Sequence, residues 1–202
     1  MVNEALAPAQ AQSTRDRLIA AAFRVVADDG LEAASVKAIA AKAEVTPGLV
    51  HYHFANKEAV IEATLRWAVE TQLAELSTRR AATQPHRQVE ALFAAVQSPS
   101  AAALDFQRFR LALAAQAMSG QALAGLIAET GSAIAGELAL VFATAAGRDV
   151  ANDRELALAT TLAAAIDGIM LARIADPEFP MATAIEIFEQ AAAAWVAQPR
   201  LI

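Results

Sequence analysis

The stretch Ser35–Lys57 reads SVKAIAAKAEVTPGLVHYHFANK. It holds two short apolar-periodic segments separated by a tight break. Ser35 opens the first segment, which turns Val36, Ile39 and Ala40 inward and runs to about Ala43. Glu44-Val45 forms the break. Thr46 as N-cap and Pro47 at the first helical position open the second segment, which reaches about Phe54. Two short helices across a tight turn make a helix-turn-helix unit. Ala40 falls where the helices cross and only a small side chain fits, and Ile39, Val45 and Val50 supply the apolar contacts that lock the pair. Thr46-Pro47-Gly48 leaves the free backbone N–H groups of the second helix open toward a phosphate. His51, Tyr52 and His53 crowd the next turn with side chains that can reach a groove, and Lys57 offers a further cation.

Upstream, residues 1–12 are Ala, Pro and Gln without periodicity and are expected to form a flexible tail. A first helix starts at Ser13 or Thr14. It carries Leu18, Ile19, Ala22, Phe23 and Val26 on one face and stops at Asp28-Asp29-Gly30, with Gly30 as a left-handed cap. Downstream, Asn56 caps a long helix that runs to about Thr78, and the polar run Arg79–Pro85 is read as a connection. Five more helical segments follow, at about 86–97, 101–118, 121–146, 153–175 and 180–197. Ser98-Pro99, Ser119-Gly120, Gly147-Arg148 and Asp176-Pro177 separate them. No strand-period run and no repeat occurs. The expected fold is all-α with about nine helices: a helix-turn-helix domain over 13–58 and a larger helical bundle over 59–202.

Composition agrees with this. Alanine supplies 55 of 202 residues, against 8 Gly and 7 Pro, and alanine has the best helix propensity. With no cysteine, a disulfide framework and a thiolate zinc site are excluded. His51 and His53 are two apart, so on a helix they point about 200° from each other and cannot share an ion. No metal or cofactor is expected. No nucleophile elbow, phosphate loop or zinc motif is present, which argues against an enzyme. The longest uncharged stretch, 111–128, is mainly alanine and is read as a buried helix pair rather than a membrane span. The N-terminus has no basic region followed by an apolar run, so a soluble cytoplasmic protein is expected.

With these residues in place the chain resembles the TetR family of bacterial transcriptional regulators. The resemblance rests on Thr14-Arg15, Gly30, Val36, Ile39-Ala40, Thr46-Pro47-Gly48, the cluster His51-Tyr52-His53-Phe54 and Asn56-Lys57-Glu58. It covers about the first 60 residues; the rest matches in length, helicity and layout only. It implies a double-stranded DNA operator as partner. Ser35 and Lys37 would start the second helix toward phosphate, Lys37 also within reach of a base edge. Thr46, Pro47, Gly48 and Leu49 would form the leading turn of the recognition helix. His51 and Tyr52 would face DNA, His53 the backbone edge, and Lys57 a phosphate, with Phe54 in the core. Arg15, Arg17 and Arg24 are read as a solvated face, Arg15 also within range of phosphate.

Two positions depart from the family pattern. Glu44 stands where the turn usually has glycine, at a cost of about 1 kcal/mol if φ is positive. His51 stands where tyrosine is usual, which would make binding sensitive to pH.

The resemblance also implies a homodimer, with two recognition helices about 34–36 Å apart. Its interface would lie on the last two helices, here with Leu162, Ala165, Gly168, Ile169, Ala172, Phe188, Ala192 and Trp195. The middle helices would hold an effector pocket, with Trp67, Phe93, Phe106, Phe109, Met118, Phe142 and Met170 as apolar candidates and Gln72, Gln116 and Thr130 as polar anchors. Composition favours a small, mainly hydrophobic ligand. Asp167 sits in an apolar run and needs a partner, either across a helix contact, at an interface or on a ligand. Arg108 and Arg110 are read as exposed. The expected function is a repressor released from a palindromic operator by that ligand, through a tilt of the long helix that joins the two domains. Two alternatives stay open: a small-molecule sensor or carrier without DNA binding, and an all-helical enzyme.

The net charge of −6 at first argues against nucleic acid, but it is unevenly spread. Residues 1–60 hold 6 Lys+Arg against 7 Asp+Glu, and residues 61–202 hold 10 against 15. Most of the acidity lies outside the helix-turn-helix unit, whose affinity would then rest on a few placed groups.

Overall fold

The computed structural model describes residues 13–97, 99–119 and 123–197, with the backbone alone for Met118, Ser119 and Ala197. The expected tail, Ser98 and Gly120 lie outside the described residues. Among these there are nine α-helices and no strand. The chain divides into two compact units, 1–67 and 68–202.

The first unit holds α1 (Thr14–Asp29), α2 (Val36–Lys42), α3 (Pro47–His53) and the start of α4 (Lys57–Ala82). Ser13 caps α1 by accepting from the Asp16 amide. The predicted face of α1 is buried throughout, and it closes with Ile39, Ala40, Val50, Phe54, Val60 and Ile61 into a small core. Trp67 stands edge-on to Phe23, ring centroids 5.6 Å apart. Gly30 has φ 83° but ψ 168°. It is therefore not a left-handed helical cap; the chain leaves α1 in an extended mirror conformation that glycine alone takes without strain.

The second unit holds the rest of α4, a 3-10 turn (Pro85–Arg87), α5 (Gln88–Gln97), α6 (Ala101–Ser119), α7 (Ala124–Ala145), α8 (Asp153–Ala175) and α9 (Met181–Ala197). α4 runs four residues past its expected end. Three interactions hold the extra turn. The Arg80 guanidinium meets Glu137 on α7 at 2.9 Å, the Thr83 hydroxyl donates to the Arg79 carbonyl, and the buried Gln88 amide donates to the carbonyls of Arg80 and Thr83 at 2.8 and 2.7 Å. One tertiary ion pair and several local hydrogen bonds thus keep the polar run helical, where composition alone suggested a connection.

α7 ends in a Schellman motif. Gly147 has φ 74°, the Arg148 amide donates to the Ala143 carbonyl, and the Gly147 amide donates to Thr144. Arg148 then pairs with buried Glu155. Glu155 also closes the capping box of α8 with Asn152. α7 and α8 are long and apolar enough to cross a membrane by length and composition. They pack against each other, and the Arg148–Glu155 pair and the capping box join the end of one to the start of the other.

Candidate functional site

The turn between α2 and α3 is a second Schellman motif. The Val45 amide donates to the Ala40 carbonyl at 2.9 Å and the Glu44 amide to Ala41 at 3.1 Å. This geometry needs a left-handed residue after the cap. Glu44 takes that place with φ 57°, the one non-glycine positive φ among the described residues. The side chain of Arg17 donates to the Ala43 carbonyl beside it and ties the turn to α1. Arg17 is therefore a structural residue, not part of a solvated face. Arg15 lies over the Phe54 ring at 5.2 Å, and Arg24 pairs with Asp28 on the surface.

α3 has one buried residue, Val50, and presents most of its other side chains outward. Thr46, Pro47, Gly48 and His51 are exposed, Leu49 is 39% exposed and Tyr52 81% exposed. The Tyr52 ring meets His53 edge-on at 5.0 Å, and His53 is half-buried. Thr46 makes no side-chain cap bond; Pro47 has no N–H and the Leu49 amide donates to the Thr46 carbonyl at 3.0 Å, so the cap leaves the Gly48 amide open. Ser35 caps α2 by accepting from the Ala38 amide at 3.1 Å, and Lys37 is exposed beside it. Lys57 is half-buried and donates to the Leu31 carbonyl at 3.1 Å, bracing the loop after α1. Tyr52 thus presents its ring and phenol hydroxyl to solvent above a buried three-helix base. Exposed donors and amides surround it, a surface suited to phosphates and base edges.

In the second unit five helices line a partly open cavity of about 210 Å³. α4 offers Gln72, Glu75, Leu76 and Arg79 at steps of three and four, and α6 offers Ala103, Phe106, Gln107 and Arg110 in the same rhythm. Leu92 of α5, Leu138 of α7 and Met170 of α8 close it. Of the pocket candidates, Gln72, Phe106 and Met170 stand on this wall. Phe93, Phe109 and Phe142 are fully buried in the core instead, and the Thr130 hydroxyl is turned to the Leu126 carbonyl at 2.7 Å. Trp67 belongs to the first unit, Gln116 is exposed, and the Met118 side chain lies outside the described residues. Gln107 was not singled out from the sequence. Its helical step from Ala103 and Arg110 is the signal that could have found it.

Asp167 has its partner in Arg110, through two bonds of 3.0 Å. Arg110 is therefore mostly buried, contrary to the exposure expected for it; Arg108 is exposed and reaches Asp105 at 3.5 Å. Among the dimer candidates, Leu162, Ile169 and Ala192 are buried within the chain, while Ala165, Ala172, Phe188 and Trp195 are half-buried. Arg154 covers the Trp195 ring at 4.1 Å. Gly168 is exposed, and so are Leu171, Ile174 and Ile187. Among the described residues no group of three or more His, Cys, Asp or Glu could hold a metal.

Residues 18–64 match the family model described as bacterial regulatory proteins, tetR family. Over 65 residues the chain is 38% identical to the HTH-type transcriptional regulator UidR of Escherichia coli, a match that covers 32% of this chain and spans only 33% of that protein. The HTH-type transcriptional regulator BetI of Burkholderia ambifaria is 28% identical over 78% of this chain and 80% of its own. Among solved structures, a transcriptional regulator from a Rhodococcus species superposes with a TM-score of 0.67 at 30% identity, over 90% of this chain and 93% of that one. These relatives are transcriptional regulators, not enzymes.

Proposed function

This chain belongs to the tetR family of bacterial regulatory proteins, and from that premise we propose that it is a homodimeric, cytoplasmic repressor. It binds a palindromic DNA site and leaves it when a small, mainly apolar molecule enters the second unit. The observation that carries this reading is the outward face of α3, with Tyr52 81% exposed above buried Val50 and Phe54. Thr46, Pro47, Gly48, Leu49, His51 and Tyr52 lead into the major groove. Ser35, Lys37, His53 and Lys57 meet the backbone, Lys57 with the protons that Leu31 leaves it.

Pairing of two chains sets the spacing of their recognition helices. The apolar surface left open on α8 and α9, at Gly168, Leu171, Ile174 and Ile187, supports a pairing through these two helices. The ligand acts by population shift: it favours a state in which the two recognition helices no longer match the operator, and α4, whose residues belong to both units, carries the change. A gel-shift titration of the full chain on the DNA flanking its coding sequence tests the reading. A discrete complex that survives excess shuffled DNA is expected. Equal competition by shuffled and upstream DNA would refute it.

A further inference from the structure

Gln107 lines the cavity, and its amide oxygen, closed off from the open space, is left unsatisfied by the fold. The Gln107 amide oxygen is buried and has no hydrogen-bond partner. It sits on α6 one turn from Ala103 and beside Phe106, where the lining is otherwise mostly apolar. A buried acceptor without a donor is unfavourable, and a ligand that brings one removes the deficit.

The charged groups nearby point away from an ionic ligand. Arg79 is engaged by Glu75 at 2.7 Å, and Arg110 is held by both oxygens of Asp167. Both guanidiniums thus already have a carboxylate partner and each carboxylate a cation, so an ionic ligand would compete with a partner in place. The cavity, about 210 Å³, exceeds the roughly 150 Å³ apolar cavity that takes up benzene. A single substituted ring fits that space.

We propose that this cavity receives a neutral, mainly apolar molecule of about one ring that carries a hydroxyl, and that the Gln107 side chain turns its amide oxygen into the cavity to accept from that hydroxyl. The inference rests on the reading of the second unit as a ligand receiver and names the chemistry it selects.

Calorimetry on the full chain with three probes of one shape tests it: 4-propylphenol, 4-propyltoluene and 4-propylbenzoate. The phenol is expected to bind at least tenfold more tightly than the toluene, and the benzoate to bind more weakly than the phenol. In Gln107→Met, which keeps the side-chain length, the preference for phenol over toluene falls to about one. A Gln107→Leu chain serves the same comparison should the Met variant fold poorly. Equal binding of phenol and toluene by the unaltered chain overturns the proposal, as does a preference that survives both substitutions, tighter binding of the benzoate, or no binding of any probe. Release of upstream DNA by the phenol is measured separately. A phenol that binds with the expected preference but leaves DNA affinity unchanged contradicts the repressor mechanism and leaves the ligand chemistry standing.

Discussion

The guanidinium of Arg110 on α6 and the carboxylate of Asp167 on α8 face each other in a two-pronged ion pair, both bonds 3.0 Å long. The side chains are 20% and 30% exposed. Burial raises the Asp167 carboxyl above its ordinary 3.8, and the charge and hydrogen bonds of Arg110 oppose this without cancelling it. The pair therefore fixes one helix against another at a desolvation cost.

The first prediction follows from that cost. Asp167→Ala strands a mostly buried guanidinium and lowers stability by about 1–3 kcal/mol, less than the roughly 3–5 kcal/mol of a fully enclosed pair. Replacing both residues by leucine returns stability to within about 1 kcal/mol of the starting protein. The pH dependence has a definite sign. An acid whose value is raised by folding contributes stability below its unfolded value of 3.8 and loses it as pH rises through the folded one. Asp167→Asn removes that loss. Urea melts of the variants from pH 3.8 upward check both points, and a steeper fall for Asp167→Asn would contradict them.

Glu44 holds a backbone conformation that suits glycine, with φ 57°. Glu44→Gly is expected to raise stability by about 1 kcal/mol, since the left-handed conformation costs a residue with a Cβ about that much. It also removes a negative charge beside the proposed DNA face, so DNA affinity is kept or improved. A higher urea midpoint with an unchanged slope is the expected record. A lower midpoint, or weaker DNA binding, would contradict this account of the turn.

Gln88 is 2% exposed and donates to two carbonyls at the end of α4. Gln88→Leu leaves both without that donor and is expected to cost about 1–3 kcal/mol. Amide exchange should quicken across 79–83 in the same variant. Unchanged exchange there would show that Arg80 and Glu137 suffice to hold the turn.

What could be read in the sequence follows from what each signal encodes. The caps at Ser13 and Asn56, the helix start at Ser35 and the break at Glu44 are local, and the structure carries them at those residues, whereas Thr46 starts α3 without the side-chain cap bond expected of it. The inward faces of α1 to α3 follow from helical periodicity. The end of α4 is not legible because Arg80 is held by Glu137, 57 residues further along the chain, and Gln88 reaches back to the carbonyls of Arg80 and Thr83, contacts that local composition does not announce. The pocket residues were the least legible. Of the four phenylalanines read as lining, Phe106 stands on the cavity wall, whereas Phe93, Phe109 and Phe142 fill the core and mainly aliphatic side chains, with Gln72 and Gln107, share the wall. In an alanine-rich bundle the few large side chains are the ones needed to fill space.

The proposed dimer gives a fourth prediction. Gly168 is exposed on α8, and a Cβ added there meets nothing within 4 Å. Gly168→Arg therefore fits the single chain, and helical content should change little. It places a long cation on the surface proposed to pair, so sedimentation should report a monomer where the unaltered chain is a dimer. A Gly168→Arg dimer of unchanged strength would move the interface elsewhere.

Tyr52 tests the central claim most directly, because it is 81% exposed and its ring meets that of His53 beside it. Tyr52→Ala should alter stability by no more than about 0.5 kcal/mol. Fluorescence anisotropy of a labelled inverted repeat from upstream DNA, titrated with the full chain at several salt concentrations, is the measurement. The account predicts saturable binding that weakens as salt rises. It also predicts a loss of at least about tenfold in Tyr52→Ala, the scale of one good base contact. Binding by Tyr52→Ala as tight as by the unaltered chain, or no binding by either, would contradict it.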